Sequence, residues 1–348
     1  MAEVKKAIPE WFTSLARRTG AFCVIDRQRS TNAGFDWAFE LRLTEGETPI
    51  EVLVEAKQRV TPREFLGFVN QLDRTGRKGT LVLCSPTISP RIAELCRETG
   101  IGYLDAAGNC HVQVPGLFIH IEGQPNPYRS RRKAVDPFAM KSSRIARVLL
   151  SDVKRGWQVQ ELAREADVSL GLTSRIKRAL LDEAFVELRD GLLFVREPEP
   201  LLDAWRNAYQ LPERQSFYVM DKNQNVESRI AAWSADCGVR YALTAYSGAW
   251  RLAPMVRHNM STIYVEALEQ TDLAPLIAEV GATAVDSGAN LSIWLPHDEY
   301  TFYGAQLTKG LTLVSALQMY LDLSQLPGRG EEAAQEIFEK ELQPKWQS

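Results

Sequence analysis

From residue 21 to residue 57 three apolar runs are separated by short polar turns. "AFCVIDRQ", "FDWAFELRL" and "IEVLVEAK" are rich in β-branched and aromatic residues, and the turn-prone "STNAG" separates the first two, so each predicts a strand. Residues 8–18 precede them with the spacing of a short helix. The pattern then turns helical in "TPREFLGFVNQLDRTG", where Thr61 can cap and Pro62 suits the first turn. "GTLVLCS" reads as a buried strand, and "SPRIAELCRETG" repeats the grammar of Ser cap, Pro, helix and Gly stop. "IGYLDAAGNCHVQV" and "GLFIHIEG" are late strands. Residues 1–125 therefore predict a mixed sheet between helices.

The pattern breaks in "EGQPNPYRSRRKAVDPF", whose Pro, Asn, Gly and Ser mark residues 126–138 as a basic linker. Residues 139–210 are mostly helical. Ile145, Val148 and Leu149 share one helical spacing, residues 159–166 make a short helix, and "DVS" makes a tight turn. Ser169 then caps a helix whose apolar stripe is Leu172, Ile176, Ala179 and Leu180. "VELRDGLLFV" is a hairpin turning on Asp190-Gly191. Residues 211–348 mix strands ("SFYVM", "STIYVEA", "ANLSIWLP", "EYTFYGA") with helices ("VESRIAAWSADCG", "DLAPLIAEVGA", "SALQMYLDLSQL", "RGEEAAQEIFEKEL"). "YALTAYSGAWRLAP" is a strand running into a helix. The expected fold class is a multidomain α/β protein, with segments 1–125, 126–138, 139–210 and 211–348.

Composition narrows the class. With 348 residues, 45% of them hydrophobic and 24% charged, the chain is expected to be a soluble protein of more than one domain. A net charge of -3 means that nucleic-acid binding must rest on a local basic patch. Cys23, Cys84, Cys96, Cys110 and Cys237 contain no Cys-x-x-Cys pair, which favours reduced thiols in the cytoplasm. The four histidines are isolated in sequence, against a structural zinc site. No signal peptide or membrane span is expected, and no membrane partner.

Chemistry enters with "EVLVEAKQ". Glu55 and Lys57 lie two apart on a strand and so share a face, and Asp36 opens the neighbouring strand. Two carboxylates can hold Mg²⁺, which binds phosphate oxygens and activates a water, while a lysine stabilises the developing charge. A Glu-x-Lys at a strand end is equally a solvated edge pair, and Asp36 equally a turn residue after Gly34. Asp105 before "AAGN" reads as a hairpin corner bonded by Asp105 and Asn109, or as a further acidic ligand. In strand order and in Asp36, Glu55 and Lys57, residues 1–125 resemble the PD-(D/E)XK superfamily of the restriction-endonuclease-like fold. The resemblance implies Asp36 and Glu55 as metal ligands, Lys57 as catalytic partner, Gln71 as a supporting polar residue and Mg²⁺ as cofactor if the protein cuts DNA.

Helix, short helix, turn, helix and hairpin over residues 139–210 is the order of a winged helix-turn-helix. Ser169, Thr173, Ser174, Arg175, Lys177 and Arg178 are expected on the exposed side of its last helix, able to meet bases and phosphates of double-stranded DNA. Arg189 marks the hairpin tip. Arg129, Arg131, Arg132, Lys133, Lys141, Arg144 and Arg147 extend the basic run, with Asp136 the one acid among them. The alternative is a winged helix used for protein contacts. In the last segment, Arg251, Arg257 and His258 can bind an anion or simply solvate a helix end.

The winged helix, "YALTAYSGAW", "TIYVE", "LQMYLDLSQLPGRGEEAA" and "GIGYLDAAGN" together resemble the AbiEi-type antitoxins and their transcriptional-regulator relatives. That resemblance implies a sequence-specific, autorepressing regulator that needs no cofactor and binds inverted or direct repeats, with a homodimer among its expected partners. It also implies a nucleotidyltransferase-like toxin encoded nearby. The endonuclease-like first segment departs from the short members, and leaves a stand-alone regulator open. The alternative function is a Mg²⁺-dependent DNA nuclease targeted by its winged helix.

Overall fold

A computed structural model describes residues 2–20, 22–29, 35–43, 48–75, 80–125, 135–220, 225–253, 259–266 and 273–347. The chain divides into two compact units, Met1–Ala134 with Leu181–Ala184, and Val135–Leu180 with Phe185–Ser348.

In the first unit, helix α1 (Ala2–Thr19) leads into strands β1 (Cys23–Arg29), β2 (Trp37–Arg42) and β3 (Ile50–Ala56). Helix α2 (Pro62–Thr75), strand β4 (Thr80–Ser85), helix α3 (Pro90–Thr99) and strands β5 (Gly102–Asp105), β6 (Cys110–Val114) and β7 (Leu117–Ile121) follow. The strands lie side by side in chain order. Pairing is parallel where helices cross over, at β3–β4 and β4–β5, and antiparallel elsewhere. Strand alternation splits the core. Val52, Val54 and Ala56 pack with Ile8, Phe12 and Leu15 of α1, while Leu83 and Tyr103 pack with Phe65 of α2 and Ile92, Leu95 and Cys96 of α3.

Local signals explain the helix ends. Thr61 and Glu64 form a reciprocal capping box: the Thr61 N–H donates to Glu64 Oε2 at 3.0 Å and the Glu64 N–H to Thr61 Oγ1 at 3.3 Å. Ser89 accepts from the Ile92 N–H, Pro90 opens α3, and Gly100 closes it in the left-handed conformation. The sequence placed the start of α1 too late. Pro9 sits inside the helix. It has no N–H for the Lys5 carbonyl, which instead accepts the Trp37 indole N–H at 2.8 Å.

The second unit begins with helices α4 (Met140–Ser151), α5 (Val159–Glu165) and α6 (Leu170–Asp182), then strands β8 (Val186–Arg189) and β9 (Leu192–Val195) and helix α7 (Pro198–Ala208). Asp190 and Gly191 both have positive φ, as a two-residue hairpin turn requires. Backbone bonds between Trp157 and Leu193 extend the hairpin by one bridge.

Next come β10 (Arg214–Val219), α8 (Val226–Cys237), β11 (Tyr241–Leu243), α9 (Ala245–Leu252) and β12 (Ser261–Val265). They continue into α10 (Ala274–Val280), β13 (Ala282–Ala284), β14 (Leu291–Trp294), β15 (Gln306–Thr308), β16 (Leu311–Leu313), α11 (Ala316–Ser324), α12 (Gly330–Ile337) and α13 (Gln343–Gln347). The sheet order is β13-β10-β14-β12-β11-β16-β15, parallel at β12–β14 and β11–β16. The expected strand in "EYTFYGA" is instead a 3-10 turn, Glu299–Phe302, which Asp298 caps by accepting the Tyr300 N–H. The architecture is therefore mixed α/β in more than one unit. Among the described residues no helix is long and apolar enough to cross a membrane.

Candidate nucleic-acid interface

Helix α6 is amphipathic by construction. Ile176, Leu180 and Leu181 are buried, and Leu172 and Ala179 are half-buried beside them. Ser169 accepts the Leu172 N–H at 3.4 Å at its start. Ser169, Ser174, Arg175 and Arg178 are exposed and Lys177 is half-exposed. No carboxylate interrupts this face before Asp182, and among the described residues none pairs with Arg175, Lys177 or Arg178. Thr173 departs from the expected face. It is fully buried, and its hydroxyl donates to the Ser169 carbonyl at 3.0 Å, so it has neither the access nor the free donor to meet a base.

Arg189 stands at the hairpin tip, 62% exposed. It pairs with Glu187 and lies 5.2 Å from the centre of the Phe194 ring. Arg155 covers Trp157 at 3.8 Å nearby, a cation that the sequence did not single out. Lys141 is exposed. Arg131, Arg132 and Lys133, with Arg129, lie outside the described residues.

Arg144 and Arg147 leave the basic run that the sequence suggested, because the fold buries both. Arg144 donates to Asp298 Oδ2 at 2.7 Å and Asp167 Oδ2 at 3.1 Å, and stacks 4.3 Å from the Tyr300 ring centre. Burial disfavours its charge, but the Asp298 hydrogen bond and the charges of Asp298 and Glu299 outweigh it and raise its pKa. Asp167 lies in the turn between α5 and α6, with φ 47°. The preceding Glu165 accepts the Tyr300 hydroxyl on its carbonyl at 2.5 Å and the Tyr303 hydroxyl on its carboxylate at 2.7 Å. The segment from Asp298 to Tyr303 thus holds the turn that carries α6.

Arg147 donates to Gln318 Oε1 at 2.6 Å and faces the Trp205 ring at 5.0 Å. Gln318 in turn donates to Asp322 Oδ1 at 2.8 Å. Asp322 is fully buried and also accepts from Tyr209 at 2.6 Å, Tyr264 at 2.8 Å and Thr244 at 2.5 Å. Burial raises its pKa, although these donors favour the charged form. Each arginine thus joins α4 to residues more than 150 positions later.

In the first unit the structure brings Asp36, Glu55 and Lys57 into one neighbourhood. Asp36 Oδ2 accepts the Ala56 N–H at 2.9 Å, and its other oxygen pairs with Lys5. Lys57 pairs with Glu55 at 2.6 Å. Burial, and then the nearby Asp36 charge, raise the Glu55 pKa against the pull of Lys57. Mg²⁺ needs free carboxylate oxygens. Each Asp36 oxygen has one partner and Glu55 is paired through Oε1 alone, so Asp36 and Glu55 would hold Mg²⁺ through the lone pairs that Lys5, Lys57 and the Ala56 N–H leave over. Lys5 was missed, because nothing in sequence links it to a residue 31 positions away. The Gln71 side chain lies outside the described residues.

Asp105 takes the corner role. Its Oδ1 accepts the Ala107 and Asn109 N–H groups, both at 2.9 Å, and its Oδ2 accepts the Asn109 amide at 2.9 Å. Arg251 is engaged by Glu227 and by the Ser247 carbonyl, while Arg257 and His258 lie outside the described residues.

Residues 194–343 match the family model described as transcriptional regulator, AbiEi antitoxin, type IV toxin–antitoxin system. The match runs from β9 to the start of α13, and over that stretch the AbiEi-type resemblance holds. It includes the Asp298–Tyr303 segment and the Asp322 cluster, and leaves out α4, α5, α6 and the first unit. No curated protein and no solved structure matches the chain.

Proposed function

We propose that this regulator of AbiEi type binds double-stranded DNA through a winged helix-turn-helix over residues 139–210. Helix α6 enters the major groove, and the β8–β9 hairpin is the wing. The observation that carries the reading is the split of α6 into a buried apolar side and an exposed side of Ser169, Ser174, Arg175 and Arg178. Arg forks onto guanine, Ser meets bases or phosphates, and Lys177 reaches a phosphate. Arg189 contacts the backbone from the wing tip. Arg131, Arg132 and Lys133 of the basic linker add positive charge for phosphates.

The family match supports the regulatory role. The finer reading is autorepression through repeats in the protein's own promoter, which a two-fold dimer would match. The nearby partner is a nucleotidyltransferase-like toxin. Residues 1–125 serve as an endonuclease-like scaffold, and no cleavage step is assigned to Asp36, Glu55 and Lys57.

A gel shift on the DNA upstream of the coding region tests the interface. Arg175→Ala and Arg178→Ala should each weaken binding by ~1–3 kcal/mol where the side chain meets a base. A double variant that binds as tightly as the parent chain would remove α6 from the interface.

A further inference from the structure

Isolated in sequence, His111 and His120 meet in the fold as directly registered partners on β6 and β7. Their Nδ1 atoms lie 3.3 Å apart, and the ring planes cross at 80°. Two imidazole nitrogens held at ~2.0–2.1 Å from one tetrahedral ion are ~3.3–3.4 Å apart. The observed spacing is that of two ligands of a single metal.

We propose that His111 and His120 chelate a divalent transition-metal ion through both Nδ1 atoms. The surroundings have the form such a ligand pair needs. Glu122 Oε1 lies 3.7 Å from the far nitrogen of His120, Nε2. It is fixed there by the Tyr103 hydroxyl at 3.0 Å and by Arg97 at 2.8 Å. At 3.7 Å this carboxylate is a charge beside the far nitrogen rather than a hydrogen-bond acceptor, and it favours the tautomer with its proton on that side, which leaves the near lone pair to the metal. The Tyr103 ring lies 6.1 Å from the His111 ring, nearly parallel to it, and Phe118 meets it edge-on at 5.4 Å.

The two histidines sit on the side of the sheet that bears α2 and α3, and His120 remains 38% exposed. Among the described residues no third His, Cys, Asp or Glu completes the set. Water would fill the remaining positions, so the ion would exchange with solvent. Imidazole selects Zn²⁺, Ni²⁺ or Cu²⁺ over Mg²⁺. The site is therefore separate in chemistry as well as in place from Asp36 and Glu55.

Calorimetric titration of the full chain with Zn²⁺, Ni²⁺ and Mg²⁺ tests it. A Cys237→Ser background removes the exposed thiol as a competitor. Zn²⁺ and Ni²⁺ should bind one per chain, and Mg²⁺ should not bind at this pair. His111→Asn and His120→Asn should each weaken binding more than tenfold. Glu122→Gln should weaken it by about tenfold, because the charge beside the far nitrogen of His120 is lost. Glu55→Gln should leave it unchanged. Nitrogen-detected NMR of the imidazoles should show both Nδ1 signals shifting on Zn²⁺ addition, and circular dichroism checks that each variant is folded. No binding by the parent chain, or equal affinity in both folded histidine variants, would overturn the proposal and leave an N–H···N hydrogen bond between neutral rings. Loss of binding in Glu55→Gln instead would move the metal elsewhere and overturn this assignment.

Discussion

Single residues decide more here than their type suggests. Pro9 would ordinarily break a helix, yet α1 runs through it because the freed Lys5 carbonyl finds the Trp37 indole. Thr173 has the chemistry of a base reader but points inward and caps its own helix turn. Asp322 is the sharpest case, a buried carboxyl with four donors. Asp322→Asn should cost ~1–3 kcal/mol, because an amide cannot accept from all of them. Burial raises the Asp322 pKa, so the folded chain keeps this proton to higher pH than the unfolded chain does. The stability it contributes is full below the ordinary carboxyl range, ~4, and falls as pH rises through the folded value. Asn does not titrate. The margin of the parent over Asp322→Asn in urea unfolding should therefore be larger near about pH 4 than near about pH 8. A margin that grows with pH would contradict the buried-carboxyl account.

At the scale of elements, α4 is the pivot of the second unit. It packs against α5, α7, α11 and β9, and its two arginines tie it to the Asp298–Tyr303 segment and to α11. Arg144→Met should destabilise by ~1–3 kcal/mol, less than the loss for a wholly buried pair, because Asp167 is 73% and Glu299 54% exposed. Since Asp167 lies in the turn before α6 and Glu165 ends α5 beside it, the same variant should also weaken the proposed operator binding. Thermal melts and gel shifts on one preparation check both, and a melt and a shift identical to the parent's would deny the turn its brace. Much of the element plan was legible in the sequence. The Thr61–Glu64 and Ser89–Gly100 grammar placed α2 and α3, and Asp190-Gly191 placed the hairpin. The 3-10 turn at residues 299–302 was not legible, since its aromatic run carries the composition of a strand and only the packing of Tyr300 and Tyr303 on Glu165 distinguishes it.

For the whole molecule, a net charge of -3 means that the proposed DNA affinity has to be carried by a patch rather than by the average. Log affinity should fall linearly with log salt, with a slope of ~-0.9 for each phosphate neutralised. Arg189→Ala should reduce the magnitude of that slope by about 1 while weakening all sequences alike. A slope that stays the same would place the β8–β9 hairpin tip away from the phosphates.

Periodicity, caps and turn residues are local properties, because they follow from the backbone geometry of a few neighbouring positions. The sequence by itself therefore determined the order of elements in the first unit and part of that in the second, where it missed α7, β13, β15 and β16, as well as the amphipathic split of α6 and the shared face of Glu55 and Lys57. Pairing across tens or hundreds of residues depends on where those elements come to rest, and the tertiary structure alone decided it. It withdrew Arg144, Arg147 and Thr173 from the surface, set Lys5 on Asp36, and brought together two histidines that are isolated in sequence. The physical reason is burial: a charge or hydrogen-bonding group taken out of water must find a partner, and the fold supplies one from wherever the chain happens to pass.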